Sequence, residues 1–179
     1  MLLINGSLRE GSTNGAALRT ARAVASTETD AVLYERLGDL PHFNPDIEQG
    51  VLPAPVVDLR AQLRAADAVL FSTPEYAGAL PGSFKNLLDW SVGDGLHGKP
   101  VGWVNASAHA GGAEHAYAML RTIMGYVNAD VVEAACVRAH VRRDAVGADG
   151  TVSDPAVREV IAAALRALVE HVRQLRAQA

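Results

Sequence analysis

Cysteine is nearly absent. Of 179 residues only Cys136 carries a thiol, so no internal disulfide can form, and no Cys/His grouping has the spacing of a zinc site. A reducing compartment, the cytoplasm, is therefore expected. Strong charge of either sign is missing too. The formal charge of −4 comes from residues scattered along the chain, so there is no basic stripe to track phosphates, and nucleic acid is not expected as a partner. Long apolar runs are also wanting. The opening Met1-Leu2-Leu3-Ile4-Asn5-Gly6 lacks a basic n-region and is too short for a signal peptide or a membrane span, so it reads as a first strand, with no membrane partner. Internal repeats and low-complexity tracts are absent. What is plentiful is apolar side chain, 49% of the chain. That suffices for one domain over residues 1–179, burying roughly 70% of its unfolded surface.

Short apolar runs alternate with longer amphipathic segments, the pattern of a parallel sheet covered by helices on both faces. The runs are Leu2 to Asn5, Ala31 to Tyr34, Ala68 to Ser72, Val101 to Asn105 and Asp130 to Val137. Between them, Asn14 to Ser26 sets Ala17, Leu18, Ala21, Val24 and Ala25 on one helical face, with Ser12 or Thr13 as N-cap. Val56 to Ala66 follows Pro55; Pro81 to Val92 turns Phe84, Leu87 and Leu88 inward; Ala113 to Met124 does so with Ala116, Leu120, Ile123 and Met124. A last helix, capped by Asp154-Pro155, repeats Val157, Val160, Ile161, Ala164, Leu165, Leu168, Val172 and Leu175 at helical steps. Five such βα units with right-handed crossovers predict an α/β three-layer sandwich around a five-stranded parallel sheet in the order 2-1-3-4-5. A ligand then belongs at the carboxyl ends of the strands. The long connection from Gly38 to Ala54, holding Pro41, Asn44-Pro45, Gly50 and Pro53, is either a functional flap or an interface loop.

Three loops leave that edge. The first, Gly6 to Asn14, opens a helix, where free N–H groups and the helix dipole attract an anion, and where Ser7, Ser12, Thr13, Asn14 and Arg9 can add hydrogen bonds. It is neither a Walker A loop nor Gly-x-Gly-x-x-Gly, so it suits a monophosphate better than a dinucleotide. The same residue types also serve as ordinary turn and cap residues. The second loop, Ser72 to Gly82, has two prolines and two glycines that fix its course beside a planar ligand; alternatively, Tyr76 only covers the core. The third, Asn105 to Gly112, brings Gly111 and Gly112, whose N–H groups can meet ring carbonyls, and His109, which touches a ligand or is merely exposed.

Gly6-Ser7-Leu8-Arg9 followed by Ser12 and Asn14, with Pro74-Glu75-Tyr76, Pro81-Gly82 and Lys85-Asn86-Leu87-Leu88-Asp89-Trp90, resembles the NADPH-dependent FMN reductase family, which includes quinone, chromate and azo-dye reductases. The resemblance runs from the first strand through the fourth helix. It implies a flavodoxin-like fold, bound FMN, and hydride transfer from NADPH or NADH to a small acceptor such as a quinone or free flavin. By it, Ser7, Arg9, Ser12, Thr13 and Asn14 hold the phosphate; Pro74, Glu75, Tyr76 and Ala77 flank the ring; and Ser107 and the glycines line its other side, with Gly78, Gly111, Gly112 and His109 counted among the candidate cofactor contacts. Ala77 departs from the family's common Asn. The resemblance also implies a homodimer or homotetramer, with the Lys85 to Trp90 helix at an interface; the alternative for that helix is a solvated face with one partly buried Trp.

Other classes fit less well. A flavodoxin-type electron carrier is usually more acidic, with a Thr-rich phosphate loop lacking Arg, and a flavin-free binding module of the same fold is a further alternative. Ser7 lacks the Gly-x-Ser-x-Gly elbow of a serine hydrolase, and His109 and His115 are too far apart to be neighbours on one helical face, so no metal site is expected.

Overall fold

The computed structural model describes residues 1–27 and 29–178. Its sheet has five parallel strands: β1 (Leu2–Asn5), β2 (Val32–Tyr34), β3 (Val69–Ser72), β4 (Pro100–Asn105) and β5 (Asp130–Arg138). The helices are α1 (Thr13–Val24), α2 (Pro45–Glu48), α3 (Ala54–Ala65), α4 (Gly82–Trp90), α5 (Glu114–Tyr126) and α6 (Pro155–Gln178). The spatial order is β2-β1-β3-β4-β5, as expected for the doubly wound flavodoxin-like topology.

Alternation along the strands sorts the core into two layers. Leu2, Ile4, Val69, Phe71, Val101 and Trp103 pack toward α3, α4 and α5, while Leu3, Leu70, Val104 and Ala135 pack toward α1 and α6. Both faces are covered, which is why these strands read as unbroken apolar runs. In register, Leu3 stands beside Leu33 on one side and Leu70 on the other. The β4–β5 pairing slips between Val101 and Trp103, whose partners are Val131 and Cys136. Gly102 lies at the slip, where an added Cβ would stand 2.6 Å from Ala135 Cβ.

The predicted strands agree to within a residue at their ends, and the helices shift by a residue or two, as frayed termini do. Ser12 is the cap of α1, its hydroxyl accepting from Gly15 N at 3.0 Å, and Asp154 Oδ1 caps α6 through Ala156 N at 2.8 Å. Two residues expected on the buried face of α6 are not there: Val160 and Leu175 are 37% and 41% exposed. The buried stripe runs through Ile161, Ala164, Leu165 and Leu168, and a 24-residue helix outruns the sheet it covers.

The 38–54 connection is held down by α4. Asn86 Oδ1 accepts from Phe43 N at 2.7 Å and its Nδ2 donates to the Pro41 carbonyl at 2.9 Å. Trp90 Nε1 donates to that same carbonyl at 2.8 Å, and Phe43 meets the Trp90 ring edge-on at 4.9 Å. Trp90 is thus fully buried rather than partly so. Arg60 completes the clasp by donating to the Trp90 carbonyl at 2.9 Å and to Glu48 of α2 at 2.5 Å. On the outer side of α4, Lys85 and Asp89 pair at 2.6 Å, as their spacing suggests. Replacing Asn86 with Ala leaves the Phe43 N–H without its acceptor. Urea unfolding of Asn86→Ala should show a loss of about 1–3 kcal/mol; an unmoved midpoint would mean the clasp is energetically idle.

Candidate functional site

β1 and β4, the two strands flanking β3, end in matching turns. Asn5 Oδ1 accepts from Ser7 N at 3.0 Å, and Ser7 Oγ accepts from Arg9 N at 3.2 Å. Asn105 Oδ1 accepts from Ser107 N at 3.0 Å, and Ser107 Oγ accepts from His109 N at 3.4 Å. Side chains thereby satisfy the N–H groups that each strand end would otherwise leave unpaired. Ser7 is buried, yet its hydroxyl hydrogen remains available to a ligand.

At the start of α1 the expected donors divide. Ser12 is spent as the helix cap, and Asn14 Oδ1 accepts from Ser72 Oγ at 2.9 Å, tying α1 to β3. The Thr13 and Asn14 N–H groups, and Asn14 Nδ2, have no protein acceptor among the described residues. Arg9 is exposed and has no acidic partner among the described residues. This end of the site is an open helix N-terminus with a free cation beside it. Gly6 is required for the loops to meet: a Cβ there would lie 2.3 Å from Thr73 Oγ1 and 2.9 Å from Phe84 Cγ.

The second loop is a two-residue reversal. Tyr76 and Ala79 exchange N–H···O bonds of 3.0 and 3.1 Å across Ala77 and Gly78, whose φ values are 51° and 73°. Two successive left-handed residues are the demand of a type I′ turn, which favours Asn-Gly. Asn, expected by resemblance, would therefore suit the backbone at Ala77 whatever its side chain touches. Glu75 has an internal task. α5 begins after left-handed Ala113, which offers no capping side chain, and Glu75 Oε2 takes the Ala116 N–H at 3.1 Å instead. A carboxylate at that helix end is also favoured by the dipole.

In the third loop Gly112 is needed for internal packing, since a Cβ would lie 2.0 Å from Ser107 Oγ. Its N–H, expected to meet a ring carbonyl, is already engaged by the His109 carbonyl at 3.0 Å, whereas the Gly111 N–H has no protein acceptor among the described residues. The Gly112 carbonyl accepts from Asn105 Nδ2 at 2.9 Å and Arg138 at 3.2 Å.

One residue that sequence reasoning missed joins the second loop to the end of β4. The Tyr117 hydroxyl accepts from Thr73 N at 3.1 Å and lies 2.7 Å from the Val104 carbonyl and 3.2 Å from that of Thr73. Burial raises its pKa well above the ordinary tyrosine value against the opposing pull of its hydrogen bonds, so it stays a neutral donor. It sits one position beyond Ala116 in the predicted buried stripe of α5, and its polar end shows only once the strand ends are in place.

A cavity of about 420 Å³ opens among these loops, lined by Thr13, Asn14, Thr73, Pro74, Glu75, Ser107, Ala108, His109, Ala113, Val141 and Arg143. Ser7, Arg9, Ser12, Tyr76, Ala77, Gly78, Gly111 and Gly112 lie outside its lining, with Tyr76 51% exposed. Val141 and Arg143 were not anticipated. Their place just past a strand's carboxyl end was the available signal. The lining combines the N–H donors of Thr13 and Asn14 with one permanent cation, Arg143, and loop backbone. No described serine hydroxyl is hydrogen-bonded to a histidine ring.

Comparison with known proteins bears on this geometry. The family described as NADPH-dependent FMN reductase matches residues 1–142. An NAD(P)H-dependent FMN reductase of Pseudomonas aeruginosa is 35% identical, covering 98% of this chain and 96% of its own. A quinone reductase of Escherichia coli is 35% identical over 71% of this chain and 70% of its own. The structure of FerB, a flavoenzyme NAD(P)H:(acceptor) oxidoreductase from Paracoccus denitrificans, superposes with a TM-score of 0.84 at 29% identity, covering 97% of this chain and 96% of that one.

Two substitutions check the loop geometry. Tyr117→Phe orphans the Thr73 N–H and should lower the unfolding free energy by about 1–3 kcal/mol in urea titration; an unchanged value would deny the hydroxyl its role. Ala77→Asn should stabilise by up to about 1 kcal/mol, because Asn tolerates the left-handed region. A lower thermal midpoint would contradict that reading of the turn.

Proposed function

The chain belongs to the NADPH-dependent FMN reductase family and is an FMN-dependent NAD(P)H oxidoreductase; from that premise we propose that residues 1–179 form one FMN-binding domain whose flavin lies along the three loops. The observation that carries this reading is the open α1 N-terminus with uncompensated Arg9 beside it, facing rigid backbone that has N–H groups to spare. Those residues fit the group. A phosphate satisfies the Thr13 and Asn14 N–H groups, the Ser7 hydroxyl and Arg9, and a flat ring satisfies the amides of Ala77, Gly78 and Gly111, which have no protein acceptor among the described residues.

When bound, FMN supplies the chemistry, taking hydride from the nicotinamide at N5 and passing both electrons to the acceptor. The protein's part is to hold and tune. Arg9 and the helix end anchor the anion, while the loop amides favour negative charge on the ring without having to reorganise. Pro74 and the reversal after Tyr76 bound one side of the slot, and Ser107 and His109 the other. The acceptor is read as a quinone or free flavin, the substrates after which similar proteins are named. By family membership the protein is also read as a cytoplasmic homodimer or homotetramer. No described helix is long and apolar enough to cross a membrane. A carrier that only shuttles electrons between proteins is the disfavoured reading.

Anaerobic addition of NADPH to the yellow protein should bleach its flavin absorbance within the turnover time, and menadione should restore it. Flavin that stays oxidised would point to the carrier. Arg9→Met should weaken FMN binding roughly tenfold, less at high salt where an exposed cation is screened. Unchanged FMN retention in that variant would refute the anchor.

A further inference from the structure

The segment following β5 is a built arm. Val146 and Val152 pair antiparallel, Gly147 N–H donates to the Thr151 carbonyl at 2.8 Å, and Ser153 binds the Ala145 carbonyl through its N–H at 2.8 Å and its hydroxyl at 2.9 Å. The arm is docked on α1 by that helix's own side chains. Arg19 Nε donates to the Gly150 carbonyl at 2.9 Å, and buried Thr20 Oγ1 accepts from Val152 N at 2.8 Å. Val141 and Val152 sit beneath it in the core.

What the arm brings to the cavity is Arg143, which shares the lining with Thr13 and Asn14 at the head of α1. Its neighbour Arg142 is neutralised by Asp144, whereas Arg143 has no acidic partner among the described residues. The carboxylate on the cavity wall, Glu75, is engaged at the start of α5. A helix N-terminus and an unpaired guanidinium opening on one space repel each other unless an anion lies between them. The arm's bonds to α1 hold them together regardless.

We propose that Arg143 is a second cationic ligand of the FMN phosphate, acting with Arg9, and that it makes the protein select FMN over riboflavin. The inference rests on the proposed flavin site. A guanidinium is suited to the task because its planar fork spans two phosphate oxygens. Arg143 lies just beyond the region matched by the family, residues 1–142, on the arm that follows β5.

Titration of the flavin-stripped full chain with FMN and with riboflavin, followed by quenching of flavin fluorescence, tests it. Arg143→Gln should weaken FMN roughly 10- to 100-fold and leave riboflavin unchanged, and Arg143→Lys should recover part of the loss. Equal weakening of both flavins would assign Arg143 to the shape of the cavity and overturn the proposal. So would unchanged FMN binding with an altered NADPH:NADH preference, which would move the contact to the donor's phosphate. Selectivity in the wild type that survives undiminished in Arg143→Gln overturns this inference alone. A wild-type chain that binds FMN no better than riboflavin removes the phosphate site, and the proposed function falls with it.

Discussion

The Tyr117 hydroxyl, sealed from solvent where β3 and β4 end, is the joint on which this site depends. A parallel sheet must stop somewhere, and the N–H and carbonyl groups at its stopping edge need partners. Here Val104 O takes hydrogen bonds from Ser72 Oγ at 2.7 Å and from Tyr117, while Thr73 N donates to the same tyrosine. Trp103 lies 6.2 Å from the Tyr117 ring, with Arg121 above it at 5.0 Å, so the ring is held as well as its polar tip. With that hydroxyl in place the start of the second loop and the end of β4 share one anchor on α5, and Glu75 of the second loop adds a second link to that helix. The cavity keeps its shape through these bonds rather than through any ligand.

A common economy follows in the loops. Asn5, Ser7, Asn105 and Ser107 satisfy backbone at the ends of their own strands, and the amides without protein partners among the described residues include those of Thr13, Asn14, Ala77, Gly78 and Gly111. Those remaining donors are fixed in direction before anything binds. For redox chemistry carried by a cofactor this matters more than a nucleophile would, because the protein acts through position and electrostatics, and preoriented dipoles need no rearrangement as charge develops.

The strands were legible because residues such as Leu3, Leu70 and Val104 are buried on one face while Ile4, Phe71 and Trp103 are buried on the other, which writes continuous apolar runs into the chain. The residue types of the site were legible too. Their division of labour was not, since a serine that caps a helix and a serine that binds phosphate look alike. Ser12 and Gly112 are taken up internally, Asn14 and Glu75 partly so, and only the hydrogen bonds reveal it. The arm and α2 escaped periodicity for a different reason. They are fixed by bonds between distant residues, Arg60 to Glu48 and Arg19 to Gly150, and no local pattern encodes such a contact.

Ala77 shows how far the fold goes to hold that geometry. An alanine in the left-handed region costs about 1–2 kcal/mol relative to ordinary backbone, and it persists only where its surroundings leave no alternative. The paired bonds between Tyr76 and Ala79 provide that constraint, and they hold the two intervening amides without protein partners at an exposed edge. Relaxing the turn would recover the strain and lose the direction of those amides. The strain is therefore tolerable as the cost of keeping two donors aimed at that edge.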